Sequence, residues 1–330
     1  MRAAVYYGPR DIRVEDDVPT PAPGPNQIVV EVRACGICGS DLHTYRYGVF
    51  EDLGMVLEGR DGRLMGHEFA GVVAEVGAGV EGIRVGDRLC GIGRGAYAEY
   101  AVVDVLERNV HPLPEHVSFE EAATLEPFAT SLHGVGLAAP QDGETIVILG
   151  AGIIGLGALQ AIKTRSSARV IVVDGAGPRL EMARRFGADD VVNFTQGDPV
   201  EQIYALVGEQ EVPRLGYRGG NVDAVLDCAG APNSSQQGLE LLKQEDGRLV
   251  LVALFEHPGP LDRNVIVRKH VRLLGSWAWN TADFRLALEL VASGKVDRRL
   301  LVSHEFALDD AAEAFKVQER GQAIKVLVKP

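Results

Sequence analysis

The sequence predicts a two-domain α/β protein, part β-rich and part a doubly wound parallel sheet. Three observations carry that expectation. The chain has 330 residues, more than the roughly 250–300 at which a single hydrophobic core stops growing. Up to about residue 125 it consists of short β-branched runs, and from about 128 it alternates strand and helix patterns. A glycine-rich turn at 150–155 joins a buried strand to an apolar helix.

In chain order, "QIVVEVRA" (27–34), "FAGVVAEVG" (69–77), "GDRLCGIG" (86–93) and "AYAEYAVVD" (96–104) are β-branched or alternating runs between Gly, Pro and Asp. Short strands of this kind suggest a sandwich or a partly open barrel. Next come "TIVILG" (145–150) and an apolar helix to about 164, then "ARVIVVD" (168–174) and the helix "PRLEMARRFGA" (178–188). "DVVNF" (190–194), "NVDAVLDCAG" (221–230), the helix "SSQQGLELLKQE" (234–245) and "GRLVLVALF" (247–255) continue the rhythm. Near-continuous Val/Ile/Leu strands between amphipathic helices imply a parallel sheet covered on both faces. "GEQEVPRLGYRGG" (208–220) reads as a polar surface loop. After about 275 the elements are mixed, with helices in "DFRLALELVASGKV" and "LDDAAEAFKVQERG" and a last strand in "AIKVLVKP".

Bulk properties exclude several classes. A formal net charge of −13 argues against nucleic-acid or anionic-membrane partners, which need clustered Lys and Arg. The run "IVILGAGIIGLGALQAI" (146–162) is nearly long enough to cross a bilayer, but four glycines in its first twelve residues break it into strand, turn and helix. No secretory signal pattern opens the chain, and four cysteines (Cys35, Cys38, Cys90, Cys228) are too few for a disulfide scaffold. The expected location is the cytoplasm.

Gly150, Gly152 and Gly155 stand in G-x-G-x-x-G spacing. Alone that is weak, but here it follows a strand, opens a helix and precedes a strand ending in Asp174. That is the dinucleotide fingerprint. Gly150 permits the tight turn, Gly152 lets backbone approach the pyrophosphate, and Gly155 lets the helix pack close to the sheet, its dipole facing the phosphates. The plainer alternative is a structural glycine-rich turn. A carboxylate at Asp174 can accept hydrogen bonds from the ribose hydroxyls and repels a 2′-phosphate, so the expected cofactor is NAD.

The stretch "ACGICGSDLHTY" (34–45) could be a disulfide, a metal site, a proton path or a coincidence of turn residues. With "GHEFAGVVAEVG" (66–77) it offers Cys38, His67 and Glu68, joined further on by Glu126. Thiolate, imidazole and carboxylate are the ligands of a catalytic zinc. A closed structural zinc needs a second Cys-x-x-Cys pair that the chain lacks, and a redox pair belongs beside a βαβ unit. The remaining alternative is a core histidine with incidental cysteines. Adjacent strand residues face opposite ways, so His67 and Glu68 can both ligate only at a bend.

"GICGSDLH", "GHEFAGVVAEVG", "VGDRL", "LEPFATSLHG" and "GAGIIGLGALQAIK" together resemble the zinc-dependent medium-chain dehydrogenases, in particular the polyol, butanediol and threonine dehydrogenase branch. The resemblance covers the whole chain. It implies a GroES-like β-rich catalytic domain formed by residues 1–127 and 276–330, with a Rossmann domain, 128–275, inserted. By matching motif it makes Cys38, rather than Cys35, and His67 zinc ligands, with Glu68 a ligand that comes and goes. Glu126 would bind zinc directly or through water, where many relatives have cysteine. Asp41 would orient His67. Ser40 and His43 would pass the substrate proton by way of the cofactor ribose to solvent, although Ser40 and Asp41 also suit a helix N-cap. Thr130 and Ile154 match positions packing on the nicotinamide, Arg179 one near the adenosine ribose, and Lys325 one near the pyrophosphate.

One departure from the family is plain. "GDRLCGIGRGAYAEY" runs almost directly to the next strand where most relatives carry a cysteine-rich lobe binding a structural zinc. One zinc per subunit is expected, without the lobe's subunit contacts. The resemblance implies a zinc- and NAD-dependent enzyme interconverting a secondary alcohol, such as a diol, polyol or cyclic alcohol, and its ketone. It also implies a homodimer or homotetramer with a small-molecule substrate. Alternatives are a zinc-free quinone or enone reductase of the same fold and a non-catalytic NAD-binding protein. Tyr45, Tyr47, Phe50, Trp277 and Trp279 are candidate pocket walls.

Overall fold

A computed structural model describes residues 1–57, 60–212, 217–321 and 323–330. The chain divides into two compact units, one of Met1–Pro127 with Asn280–Pro330 and one of Phe128–Trp279.

The first unit is built on a seven-stranded sheet running Val302–Ala307, Lys325–Lys329, Gln27–Gly36, Glu68–Val76, Arg88–Ile92 and Val110–Pro112, with Tyr100–Asp104 also paired to Gln27–Gly36. A four-stranded sheet of Asp11–Glu15, Ala3–Gly8, Arg63–Leu64 and Met55–Val56 completes it. Alternating residues Ile28, Val30 and Val32 point into a core with Phe69, Val73, Tyr97, Val103, Phe315 and Val326, as a period of two requires. The long strand Gln27–Gly36 shifts register against Glu68–Val76 between Val29 and Val30 and again between Val32 and Ala34. Such bulges bend and twist a strand. The bent strand ends with Gly36 directly opposite Glu68. A Cβ on Gly36 would lie 2.1 Å from Glu68 Oε2 and 2.5 Å from Lys325 Cε, so only glycine admits those two side chains.

The second unit is a six-stranded parallel sheet in the order Asp190–Asn193, Arg169–Asp174, Thr145–Leu149, Ala224–Asp227, Arg248–Leu251, Arg272–Gly275. This is the 3-2-1-4-5-6 order of the doubly wound fold, whose direction reverses between the first and fourth strands. The strand interiors, Ile146, Val147 and Ile148 among them, are fully buried, because helices cover both faces. The run 146–162 resolves into the strand Thr145–Leu149 and the helix Ile153–Lys163. Among the described residues no helix is long and apolar enough to cross a membrane.

Two elements differ from expectation. The sixth strand, Arg272–Gly275, was not anticipated, because it is four residues long and lies at the edge with most side chains exposed. The polar loop 208–220 is an antiparallel hairpin, Glu209–Val212 with Tyr217–Gly220, and the centre of that loop, 213–216, lies outside the described residues.

Candidate active site: a metal centre and a nucleotide turn

Cys38 follows the bent strand in extended conformation and caps the helix Gly39–Tyr47. Its backbone N–H donates to Asp41 Oδ2 at 3.0 Å, so Asp41 sits in the first turn of the helix. The N-cap is therefore Cys38, not Ser40 or Asp41. Glu68 opens the strand Glu68–Val76 and His67 immediately precedes it, after Gly66 with φ +94°. That left-handed residue turns the chain just before the two neighbouring candidate ligands, and a Cβ there would meet Tyr97 N at 2.9 Å.

The ligand atoms of Cys38, His67 and Glu68 lie within 4.8 Å of one another. Two observations show that the pocket fits a cation. Oε1 of Glu68, buried, has no hydrogen-bond partner among the described residues, an orphan that ordinarily marks an absent donor or ion. Burial would push the His67 imidazole down, yet Asp41 and Cys38 raise it well above the ordinary histidine value. The site thus attracts positive charge where a metal would supply it. Asp41 Oδ1 faces His67 Nδ1 at 3.5 Å. Burial pushes the Asp41 carboxyl up, but His67, Tyr97 and the Cys38 N–H hold it below the usual aspartate value. A charged carboxylate behind a histidine fixes the ring's tautomer and orientation.

Glu126 is buried in the first turn of the helix Leu125–Ala138 and is not part of the three-residue cluster. Lys325, matched above to a pyrophosphate contact, is fully buried. It forms an ion pair with Glu68 Oε2 and donates to Ile37 O at 2.9 Å. Burial alone would lower its ammonium, and Glu68 and then Cys38 more than reverse that, with Glu126 adding to the effect. Pyrophosphate contact would require that pair to open. All four cysteines are free thiols, which removes the disulfide alternative. Cys35 is fully buried, and its thiol is pushed well above the ordinary value by burial and then by Asp41 and Glu68, so it stays protonated. Ser40 and His43 are half-buried on one face of the helix Gly39–Tyr47, with the His43 ring edge-on to Phe50 at 6.1 Å.

In the second unit Gly150 has φ +93°, and a Cβ on it would lie 3.0 Å from Ala229 N. The turn after the first strand thus packs on the turn after the fourth, at the point where strand order reverses. A Cβ on Gly155 would lie 1.8 Å from Gly150 O, whereas Gly152 faces open space. That is the division of labour a phosphate-binding turn needs. Asp174 Oδ2 accepts from Ala151 N at 2.7 Å and Oδ1 from Ala176 N at 2.8 Å, with Arg179 Nη1 at 3.7 Å. Ile154 and Thr130 are half-buried near each other's helices, where Ser131 Oγ donates to Ile154 O at 2.9 Å.

Sequence reasoning missed three contributors. Gly36 makes room for the buried ion pair, and Tyr97 donates to Asp41. Asp227 accepts from Ala229 N, Gly230 N, Ser234 Oγ and Ser235 Oγ and so shapes the turn against Gly150. None had a local signal; each acts through a partner distant in sequence or through a turn shape. Of the candidate walls, Tyr45 and Trp279 are core residues, whereas Trp277 is 68% exposed.

Residues 24–115 match the alcohol dehydrogenase GroES-like domain and residues 154–293 the zinc-binding dehydrogenase domain. The chain is 31% identical to a sorbitol dehydrogenase of Halalkalibacterium halodurans over 94% of each protein. It is 30% identical to the sorbitol dehydrogenase of Bacillus subtilis over 100% of this chain and 97% of the relative. Its fold matches the 2R,3R-butanediol dehydrogenase of Bacillus subtilis with a TM-score of 0.83 and 29% identity, covering 100% and 99% of the two chains. An alcohol dehydrogenase of E. coli CFT073 in complex with NADH matches at 0.84 and 26%, covering 100% and 99%.

Proposed function

The chain belongs to the zinc-dependent medium-chain dehydrogenase family, in its polyol branch, and from that premise we propose that it oxidises the secondary alcohol of a vicinal diol or longer polyol. The reaction class is that of an NAD-linked, zinc-dependent alcohol oxidoreductase. The diol is suggested by relatives named for sorbitol and butanediol.

The observation that carries the reading is the cluster of Cys38, His67 and Glu68 around an orphaned carboxylate oxygen. These three residues would hold the zinc, with Glu126 nearby as an additional carboxylate and Asp41 behind His67. A bound zinc supplies Lewis acidity, making a hydroxyl easier to deprotonate. Ser40 and His43 would carry the released proton, histidine being a common proton shuttle. Gly150, Gly152 and Gly155 would seat the pyrophosphate and Asp174 the adenosine ribose, with Arg179 beside it and Thr130 and Ile154 against the nicotinamide. Residues 1–127 and 276–330 would thus serve the metal, and residues 128–275 the cofactor. Orientation of hydride donor and acceptor, with water kept out, is the protein's share of such a reaction.

We also propose a homo-oligomer in the cytoplasm. Among the described residues the edge strand Arg272–Gly275 is paired on one side only, and Leu273, Val267 and Trp277 are exposed. An uncovered apolar edge is an invitation to pairing. The deciding experiment follows NAD reduction over 2,3-butanediol, sorbitol, xylitol, threonine and a cyclic alcohol, with zinc content measured alongside. Turnover of diols with about one zinc per chain supports the reading. Reduction of quinones by metal-free protein overturns it.

A further inference from the structure

We infer that Tyr97 is a positioning residue for the metal centre, its phenol clamping the two ligand-bearing segments through Asp41. The inference rests on the reading of Cys38, His67 and Glu68 as zinc ligands.

Tyr97 lies in the short connection between the strands Arg88–Ile92 and Tyr100–Asp104. Its side chain is 1% exposed, so its hydroxyl has no access to bulk water and must find partners inside. It finds two. The phenol oxygen is 2.6 Å from Asp41 Oδ2 and 3.0 Å from Gly36 O. Gly36 precedes Cys38 by two residues and Asp41 follows it by three, so one hydroxyl is anchored on both sides of Cys38.

The backbone of the same segment holds the other ligands. Tyr97 N donates to Met65 O at 3.0 Å, Ala96 N to Gly66 O at 3.1 Å, and Gly93 N to His67 O at 3.0 Å. Residues 93–97 thus follow the approach to His67 by main chain, while the Tyr97 side chain reaches to Asp41. The fit is tight, since a Cβ on Gly66 would lie 3.0 Å from both Tyr97 Cδ2 and Cys35 Sγ. Phe315 packs edge-on against the Tyr97 ring at 5.4 Å and fixes its direction.

The consequence for the metal is specific. Asp41 can turn one oxygen to His67 only while the other is held. Oδ2 is held by Tyr97 and by Cys38 N, which leaves Oδ1 toward His67 Nδ1. Without the phenol, Asp41 keeps one donor on Oδ2 and is free to rotate, and His67 loses its fixed ring plane. Partners behind a metal-bound histidine are typically worth about 10- to 100-fold in metal affinity. Tyr97→Phe removes the hydroxyl and keeps the ring, so the core packing with Phe315 survives.

The test measures zinc affinity by competition with a chelator, and the visible absorption of the cobalt-substituted protein, for wild type, Tyr97→Phe, Asp41→Asn, the double variant and Cys38→Ser. Melting of each metal-free protein is followed in parallel. Tyr97→Phe should bind zinc about 10- to 100-fold more weakly and shift the cobalt bands, with NADH binding unchanged. In the Asp41→Asn background the same change should add little, because the two residues act as one unit. Wild-type affinity and an unchanged cobalt spectrum in Tyr97→Phe would overturn the inference, as would full additivity with Asp41→Asn. A drop in affinity matched by an equal drop in metal-free stability would also overturn it, marking a merely structural tyrosine. If Cys38→Ser keeps the zinc, the ligand reading itself fails and takes this inference with it.

Discussion

The proposed nucleotide turn and the proposed metal centre are assembled in opposite ways. In Phe128–Trp279 the groups proposed to meet the cofactor come from one stretch, residues 145–174, and much of their work would be done by backbone. In the other unit the groups come from 36–41, 66–68, 97 and 325, and the work is done by side chains that meet only after the sheet forms. The difference teaches where each site should be fragile. A backbone site fails when a Cβ intrudes, and a side-chain site fails when one functional group is lost, with the fold left standing.

The largest expected effect is at Cys38. Cys38→Ser should lose zinc and reduce turnover by about 10³-fold or more, several kcal/mol of Lewis-acid stabilisation being at stake. Cys35→Ser, three residues away but fully buried with a raised thiol, should keep both. Zinc analysis and NAD-reduction rates check the pair, and equal zinc content would erase the contrast drawn here. Next is His43→Gln, which should retain zinc and slow oxidation by about 10²-fold, the low end of general acid–base assistance. Steady-state rates with and without imidazole buffer decide it; failure of the buffer to restore any activity removes the proton role.

The glycines sharpen the comparison from the other side. Gly155→Ala places a methyl group 1.8 Å from Gly150 O and should cost about 1–3 kcal/mol in stability, seen as a lower melting temperature. Gly152→Ala faces open space at negative φ, so it should melt like wild type and weaken NADH binding about tenfold, one lost phosphate contact's worth. If both melt alike and bind alike, the turn is only structural. Asp174→Ser should narrow the preference for NAD over NADP by about tenfold, chiefly in KM, through loss of a charge-assisted hydrogen bond. A wild-type enzyme faster with NADP would refute that reading.

The smallest expected effect is a pH dependence at Asp189. Burial pushes this carboxyl up, but Lys163 and the Val170 N–H hold it below the usual aspartate value. A folded value below the unfolded one means the contribution is present at neutral pH and lost as pH falls through about 4 and below. Asp189→Asn should cost at most about 1 kcal/mol, since the pair is solvent-screened, and flatten the acid limb of a urea midpoint series. A limb as steep as wild type would assign that acid sensitivity elsewhere.

The same contrast explains what could be read in advance. The parallel sheet was legible because a strand buried on both faces writes itself as an unbroken run such as "TIVIL", and the turn because three glycines do three different jobs. Cys38, His67 and Glu68 were legible as a thiolate, imidazole and carboxylate set that the fold brings together, and the need for a bend beside adjacent strand residues followed from strand geometry. What was not legible depends on tertiary approach. Nothing local marks Gly36 as the floor under an ion pair, or separates Tyr97 from the other tyrosine of "AYAEY", Tyr100. The edge strand Arg272–Gly275 lacks the burial that makes its neighbours visible, and the pairing of Glu209–Val212 with Tyr217–Gly220 is hidden in a polar sequence.

The strand Lys325–Lys329 lies inside the sheet, between Val302–Ala307 and Gln27–Gly36, and so gives the protein a calendar. A ribosome adds about 5–20 residues per second. Lys325 therefore emerges roughly 12 to 50 s after Glu68, its buried partner. In that interval Phe128–Trp279, a continuous stretch, has been made in full and can close on itself. The first 127 residues must wait, with a sheet edge open and a carboxylate unanswered. The buried pair of Lys325 with Glu68, beside the proposed metal pocket, can form only after both units' strands up to that point have been made.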